Sequence, residues 1–133
     1  RRIHDFLPVG APHPLQIAAA AARALPDSYC RSLARAYRAK RDRFVRGLQA
    51  TGLGCRSPGG AYYVMADFSA FPFADDWAFA MYLVERLGVA TVPGSSFYGT
   101  PEAGARYVRF MFSKKEETLD DALRRLEPLK DLA

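Results

Sequence analysis

Apolar residues recur at helical spacing in the first half of the chain. From Tyr29 onward they follow steps of four or seven, which predicts one long helix over residues 27–51 with a single apolar stripe. The stripe comprises Tyr29, Leu33, Tyr37, Phe44 and Leu48. At about 1.5 Å per residue, this helix would be roughly 36 Å long. A shorter helix is predicted over residues 16–25, with Pro14 near its first turn and Pro26 after its end.

Capping residues and apolar stripes predict two further helices in the second half. Asp75 or Asp76 can cap the first of them, and Gly88 closes it. Thr118 is expected to cap the second, and Asp27 to cap the long helix. The two stripes are Trp77, Ala80, Met81, Val84 and Leu87 in the first, and Leu119, Ala122, Leu123, Leu126 and Leu129 in the second.

Three apolar runs between these helices predict strands, over residues 61–68, 89–92 and 107–113. The element order is then helix, helix, strand, helix, strand, strand, helix. This order predicts an α/β (α+β) arrangement in which a small sheet is covered by helices on one face. The opposite face of the sheet would then need another partner.

The strand over residues 107–113 contains one arginine, Arg109, in an otherwise apolar run. Alternation along a strand puts Arg109 on the face opposite to Phe110. The first face also carries Tyr107 and Met111, and the second Val108 and Phe112. An arginine is rarely buried without a partner, and its planar fork of donors suits a carboxylate or a phosphate. If Phe110 faces the helices, Arg109 forms the floor of an anion-binding cleft. A structural ion pair at the strand centre is the alternative interpretation.

Composition indicates a globular protein. Its 133 residues fit one domain, and half of them are hydrophobic, so disorder is not expected. The net charge of +5 arises mainly from arginine, which raises the alternative of a basic nucleic-acid-binding domain using residues 31–46. The arginines of that segment are spread around the helix, which argues against such an interface. A ferredoxin-like module that binds a regulatory small molecule is a further alternative, and the long helix fits it poorly.

Several kinds of site and location are not expected from this sequence. Cys30 and Cys55 match no metal or redox spacing and are expected to be free thiols in a cytoplasmic protein. The two histidines have no cysteine or acidic cluster at ligand spacing, so no metal site is predicted. The longest apolar stretch, residues 17–25, is too short to span a bilayer. The chain opens with arginine instead of methionine and is expected to be part of a longer or processed protein.

Four segments resemble, in order and rough spacing, the class I/II, fold-type I aminotransferases that use pyridoxal phosphate. Residues 3–16 (IHDFLPVGAPHPLQ) resemble the segment that leaves the large domain of that family. Residues 58–63 (PGGAYY) resemble its strand entry with proline, glycine and an aromatic residue, and residues 88–98 (GVATVPGSSFY) resemble its next motif. Residues 107–110 (YVRF) resemble the strand whose arginine binds the substrate α-carboxylate.

The resemblance implies an aminotransferase small (C-terminal) domain over residues 15–133, with a mainly antiparallel sheet. Residues 1–14 would connect it to a large domain outside this chain. That domain would hold pyridoxal phosphate and its lysine, so no catalytic or cofactor-binding residue is expected here. Lys40, Lys114, Lys115 and Lys130 match no cofactor-lysine motif and are expected to be surface lysines. The implied partners are the large domain, a second copy of the chain in a homodimer, and amino-acid and 2-oxo-acid substrates; neither nucleic acid nor a membrane is implied.

The resemblance also assigns site residues. Arg109 would bind the substrate α-carboxylate, which holds the substrate in the one orientation that transamination needs. Gly94 would allow close backbone approach to the cleft, and Phe97 and Tyr98 would contact the substrate side chain. Ordinary loop anchoring is the alternative for both aromatic residues. Gln16 would reach the site of the second subunit by analogy. The implied activity is transfer of an amino group between an amino acid and a 2-oxo acid, with this domain closing the active site.

Overall fold

The computed structural model describes residues 10–132, which form four α-helices and one four-stranded sheet. The helices are α1 (His13–Arg23), α2 (Asp27–Ala50), α3 (Asp76–Leu87) and α4 (Glu116–Leu126). The strands are β1 (Gly54–Cys55), β2 (Tyr63–Asp67), β3 (Val92–Pro93) and β4 (Tyr107–Met111). Short 3₁₀ turns span Gly94–Phe97, Pro101–Ala103 and Glu127–Asp131. The predicted α/β arrangement is confirmed. None of the helices in this described part is long and apolar enough to cross a membrane.

Residues 10–35 belong to a unit separate from the rest of the chain. Its helix α1 begins at His13, three residues before the predicted start, and Pro14 lies in the first turn. Proline is tolerated there because its missing N–H would have no partner within the helix. Every described residue of this unit is exposed.

The apolar stripe of α2 is buried only in its second half. In the unit formed by residues 36–133, three side chains of α2 enter the core: Phe44, Val45 and Leu48. Tyr29 and Leu33, which belong to the same predicted stripe, are 50% and 45% exposed. Helical spacing states which side chains share a face, but not whether another element covers that face along its whole length.

The sheet has the strand order β1-β2-β4-β3, and each neighbouring pair is antiparallel, as expected. The longest pairing joins β2 to β4, and both strands lie within their predicted ranges. The sequence pattern did not predict β1, since two residues cannot display an alternation. The prediction of a strand over residues 89–92 is largely wrong, because only Val92 and Pro93 pair with β4.

In the unit formed by residues 36–133, the second half of α2 lies with α3 and α4 on one face of the sheet, and the core lies between the two layers. The strand side chains buried in it include Val64, Ala66, Val108 and Phe110. Phe44 of α2 meets Phe110 of β4 with ring centroids 6.2 Å apart, and Phe79 of α3 stacks on Phe68 at 4.6 Å. The prediction that Phe110 faces the helices, opposite to Arg109, is confirmed.

Helix α3 buries a face that only partly matches the predicted one, with Ala80 common to both and Leu87 partly buried against the core. Its buried apolar side chains are Phe79, Ala80 and Leu83. Three members of the predicted stripe are instead 60%, 45% and 45% exposed: Trp77, Met81 and Val84. The helix carries apolar residues on nearly every side, so two stripes fit the same spacing and periodicity does not choose between them. The aromatic contacts of Phe79 with neighbouring loop residues make the choice.

The ends of α3 are as predicted. Asp75 precedes the helix in an extended conformation, and its carboxylate accepts a hydrogen bond from the backbone N–H of Ala78 at 2.8 Å. Gly88 ends the helix in the left-handed region with φ 67°, where a side chain would be strained. The cap and the terminating glycine therefore set the length of α3 locally.

Two other capping predictions are wrong. Asp27 is the first residue of α2 itself, and α4 begins at Glu116, so Thr118 lies inside the helix. Lys115 occupies the position before α4 and makes no side-chain capping bond. Two acidic residues in the first turn of α4 stabilise the helix N-terminus by their charge instead.

We expect Phe79→Ala to lower the free energy of unfolding by about 3–5 kcal/mol, because it removes a fully buried ring and leaves a cavity. Trp77→Ala, two positions earlier on the same helix, should change it by less than about 0.5 kcal/mol, because the indole is exposed. Urea unfolding followed by circular dichroism measures both. Equal losses for the two variants would contradict the orientation of α3.

Candidate functional site

Arg109 lies at the centre of β4, an interior strand of the sheet. Met65 of β2 is its register partner on one side, and Val92 of β3 is its partner on the other. Because side chains alternate along the strand, the Arg109 side chain leaves the sheet on the face opposite the core, where it is half-buried. Neighbouring strands on both sides therefore hold the backbone that carries this guanidinium.

Two aromatic rings flank the guanidinium of Arg109. Its Cζ atom lies 4.2 Å from the ring centroid of Phe97 and 5.0 Å from that of Tyr63. Both distances fall within the range of cation–π attraction. These contacts use no hydrogen-bond acceptor, so the guanidinium N–H donors remain available to a planar anion.

Tyr63 is the site residue that sequence reasoning missed. It begins β2 two residues before Met65, so it is a diagonal neighbour of Arg109 on the same face of the sheet. The alternation of β2 indicates that Tyr63 and Met65 share a face. It does not indicate which residue of β4 lies beside them, because that depends on the register of the two strands.

Among residues 10–132, no carboxylate lies within 4.0 Å of Arg109, and its guanidinium donates no hydrogen bond. Other arginines differ: Arg41 pairs with Asp42 at 2.7 Å, and Arg43 pairs with Asp120 at 2.6 Å. The interpretation of Arg109 as a structural ion pair therefore finds no partner in the described part of the chain. The guanidinium is half-buried, and its planar fork of donors suits an external carboxylate or phosphate.

Phe97 reaches Arg109 from the 3₁₀ turn Gly94–Phe97, which directly follows β3. The turn packs tightly on the backbone that leads into β4. A Cβ atom on Gly94 would overlap the carbonyl oxygen of Gly104 and lie 2.5 Å from that of Tyr107. The close backbone approach at Gly94 is thus made to this neighbouring segment of the chain.

Tyr98 follows the same turn in an extended conformation and is 42% exposed. Within the described part of the chain it makes no aromatic or cation–π contact, unlike Phe97. Of the two predicted aromatic residues, the structure brings Phe97 to Arg109 and leaves Tyr98 at the surface beside the turn.

A cavity of about 420 Å³ lies at the edge of β4, beside residues 88–92 and α4. Most of its lining is apolar, and its charged residues include Asp121 and Arg125. These two pair at 2.6 Å, and the hydrogen bond from Arg125, together with one from Arg124, holds the pKa of Asp121 below its ordinary value. Arg109 also lines this cavity, and because Arg124 and Arg125 already pair with Asp121, Arg109 is the stronger anion-binding candidate.

The four lysines of the chain lie at the surface or bond to the backbone. Lys114, Lys115 and Lys130 are exposed, and Lys40 donates a hydrogen bond at 3.0 Å to the backbone carbonyl of Lys114. A lysine that binds an aldehyde covalently needs a pocket that favours its neutral form. The described residues therefore fit the binding of a carboxylate and do not fit the attachment of pyridoxal phosphate. They also include no cluster of three or more metal-ligating side chains.

Both cysteines are free thiols, as predicted, but their environments differ. Cys30 is exposed, whereas Cys55 of β1 is buried. Burial, together with the negative charge of Asp67, raises the pKa of Cys55 to about 12. Such a thiol stays protonated and unreactive at neutral pH, so Cys55 is a structural residue.

Comparison with known proteins identifies the family. The family profile "Aminotransferase class I and II" matches residues 1–126. The chain belongs to the class I and II aminotransferases. This confirms the resemblance of the four sequence segments, and it favours that interpretation over the nucleic-acid-binding and regulatory alternatives.

Curated relatives are similar over nearly the whole chain. Methionine aminotransferase of Escherichia coli (strain K12) is 36% identical over 130 residues, which cover 97% of this chain and 33% of that protein. The probable N-succinyldiaminopimelate aminotransferase DapC of Mycobacterium tuberculosis is 35% identical over 127 residues, or 89% of this chain and 32% of that protein. The chain thus spans about a third of the length of these relatives.

Solved structures that share the fold of this chain are also aminotransferases. N-Succinyldiaminopimelate aminotransferase from Mycobacterium tuberculosis matches with a TM-score of 0.86 at 34% identity, over 94% of this chain and 33% of that one. YbdL from Escherichia coli, described with a methionine aminotransferase function, matches with a TM-score of 0.80 at 35% identity, over 95% of this chain and 33% of that one. The arrangement of helices and sheet is therefore shared with solved aminotransferases.

We expect Cys55 to make stability fall as the pH rises above about 9. The unfolded thiol loses its proton near 9.0, whereas the folded thiol keeps it until about 12, so the folded state binds more protons between these values. Urea unfolding at pH 8 and at pH 10.5 measures the change. Cys55→Ala should show a smaller fall than the wild type, and the matched variant Cys30→Ala should behave like the wild type. An equal fall in all three proteins would contradict the assignment.

Proposed function

We propose that this chain is the C-terminal, substrate-binding domain of a pyridoxal-phosphate-dependent aminotransferase. The enzyme would transfer an amino group between an amino acid and a 2-oxo acid, and this domain would close the active site. The observation that carries the proposal is the guanidinium of Arg109 on the open face of the sheet, flanked by two aromatic rings and without an ion-pair partner among residues 10–132. Family membership supports the reaction class.

Arg109 binds the α-carboxylate of the substrate. Its two parallel N–H donors hold both carboxylate oxygens and so define the direction of the substrate's Cα–H bond. Fixed geometry of this kind lowers a barrier by several kcal/mol, because orientation is supplied before the reaction begins. A lysine at the same position would supply the charge without the two-pronged geometry.

The aromatic residues around Arg109 restrict its side chain and shape the site. Phe97 and Tyr63 lie against the guanidinium itself. Tyr98, exposed beside the turn, is available to the substrate side chain or to the neighbouring domain. Gly94 serves the site indirectly, because its missing Cβ lets the turn that carries Phe97 pack on residues 104–107.

Pyridoxal phosphate, bound outside this chain, supplies the electron sink that the reaction needs. The residues of this chain bind and orient the substrate, and help to exclude water from it. We therefore propose that the chain alone is inactive. Residues 1–14 would lead from a large domain that carries the cofactor, and residues 15–133 would form the small domain.

The open sheet face is the surface that the proposed large domain would cover. Three large side chains near Arg109 on this side of the sheet are 36%, 43% and 40% exposed: Tyr63, Phe97 and Met111. Exposed apolar side chains grouped around an anion site are typical of an interdomain cleft. A second copy of the chain in a homodimer would approach the connector, where Gln16 donates a hydrogen bond to the carbonyl of Ala11 at 2.6 Å.

The proposal names a substrate class. The similar relatives carry the names of different amino donors, among them methionine, N-succinyldiaminopimelate and kynurenine. What such donors share at the reacting carbon is an amino group beside a carboxylate. Arg109 recognises this shared part, and residues around the substrate side chain select among the donors.

In the full-length enzyme, we expect Arg109→Ala to lower kcat/KM for an α-amino acid by up to several thousand-fold. Removing one member of a buried charge pair costs about 2–5 kcal/mol, and about 1.4 kcal/mol corresponds to a factor of ten. Arg109→Lys should lie near the mild end, at a loss of roughly thirtyfold, since it keeps the charge. Steady-state kinetics with the preferred donor measure both.

The control for these variants is an amine that has the same side chain but lacks the α-carboxylate. It should react poorly with the wild-type enzyme and lose little further in either variant, because Arg109 has no carboxylate to bind. Equal losses for the amino acid and the amine would instead mean that Arg109 maintains the sheet.

The chain purified on its own should not bind pyridoxal phosphate covalently. All four of its lysines lie at the surface or bond to the backbone. Incubation with the cofactor, reduction with borohydride and peptide mapping would reveal any attachment. We expect only weak labelling spread over several lysines, and stoichiometric labelling of a single lysine would contradict the proposed division between two domains.

A further inference from the structure

The 3₁₀ turn Gly94–Phe97 is joined to the start of α3 by a partly buried hydrogen bond. Asp76, the first residue of α3, is only 2% exposed. Its Oδ2 atom accepts a hydrogen bond from the backbone N–H of Ser95 at 2.7 Å. A carboxylate buried to this degree needs a donor, and a bond to an ionised group is among the stronger hydrogen bonds in proteins. The contact joins two elements that are 19 residues apart in the sequence.

The neighbouring carboxylate, that of Asp75, accepts a different hydrogen bond. Asp75 is exposed and accepts its hydrogen bond from Ala78 within the same helix. It therefore caps the first turn of α3, and among the described residues its side chain forms no hydrogen bond with the Gly94–Phe97 turn. Of these two adjacent aspartates, Asp75 therefore caps the helix, whereas Asp76 joins the helix to the turn.

A second contact holds the turn from its other side. Gly94 and Gly104 pack so closely that a Cβ atom on Gly104 would lie 2.5 Å from the carbonyl carbon of Gly94 and 2.6 Å from the nitrogen of Ser95. Because these neighbours are backbone atoms, they cannot move aside as a flexible side chain would. The turn is therefore held between α3 and residue 104, and Phe97 at its end lies against Arg109.

We propose that Asp76 is a positioning residue for the substrate carboxylate. Through the N–H of Ser95 it holds the Gly94–Phe97 turn, which keeps the ring of Phe97 against the guanidinium of Arg109. This inference deepens the proposed function and rests on the assignment of Arg109 to the α-carboxylate. The physical reason is preorganisation: an arginine restricted before the substrate arrives loses less side-chain freedom on binding.

The test uses the full-length enzyme with three single variants. Asp76→Ala removes the acceptor, Asp76→Asn keeps an acceptor of the same shape, and Asp75→Ala removes the neighbouring carboxylate. The first readout is hydrogen–deuterium exchange of the peptide that contains residues 94–98. The second is the ratio of kcat/KM for the amino acid to kcat/KM for the matching amine without the carboxylate.

For Asp76→Ala we expect exchange at the turn to become about tenfold faster and the carboxylate preference to fall about tenfold, as the loss of one charge-assisted hydrogen bond predicts. Asp76→Asn should stay within about threefold of the wild type in both, since the carbonyl of asparagine can accept the same bond. Asp75→Ala should lower the melting temperature through the lost cap but leave both readouts unchanged.

A fourth variant, Phe97→Leu, tests whether Asp76 acts through the ring of Phe97. It should lower the carboxylate preference by a similar factor, and Asp76→Ala should add little in that background, because both changes remove the same contact. Full additivity in the double variant would overturn the proposal. Should Asp76→Ala fail to fold, Asp76→Ser replaces the acceptor by a hydroxyl that is too short to reach the N–H of Ser95, and the same losses are expected.

The remaining outcomes separate the two proposals. If Asp76→Ala and Asp75→Ala change both readouts alike, Asp76 only stabilises the helix and the inference is overturned. If Arg109→Lys lowers the carboxylate preference but Asp76→Ala does not, the inference also fails while the proposed function stands. If Arg109→Lys does not lower it, the proposed function fails, and the inference that depends on it fails with it.

Discussion

The pairing of β2 with β4 is the interaction on which the rest of the structure depends. Five register pairs join these strands, with Met65 opposite Arg109. Because side chains alternate, the register that buries Phe110 against α2 also directs Arg109 to the open face. A slip by one residue would expose Phe110 and turn the guanidinium into an apolar core, where burying an unpaired charge costs many kcal/mol. Core packing and the position of the candidate site are therefore one constraint.

Helix α3 extends this constraint to the loop that completes the site. Phe79 anchors the helix in the core through its contacts with Phe68 and two further phenylalanine rings. That orientation brings Asp76, at the start of the helix, to the backbone N–H of Ser95. The turn held there carries Phe97 to Arg109. The position of an aromatic ring at the site thus depends on how a helix packs on the other side of the sheet.

The chain spans about a third of the length of its aminotransferase relatives, and its residues suit one part of the proposed reaction. Among residues 10–132 the guanidinium of Arg109 donates no hydrogen bond, and the lysines are exposed or bonded to the backbone. Orientation of the substrate and attachment of the cofactor need side chains with opposite protonation properties. The first needs a permanent cation with two donors, and the second needs an amine that can lose its proton. The proposed separation of the two tasks between two domains would meet these demands.

The sequence by itself determined the features that depend only on residues close together in the chain. Alternation in residues 107–113 placed Arg109 opposite Phe110, Asp75 and Gly88 marked the ends of α3, and the motifs indicated the family. Only the tertiary structure decided which face of α3 is buried and that Tyr63 lies beside Arg109. It also decided that Asp76 holds the turn at Ser95. Spacing along a chain defines which side chains share a face, but contacts between distant segments depend on strand register and helix packing, which no local pattern contains.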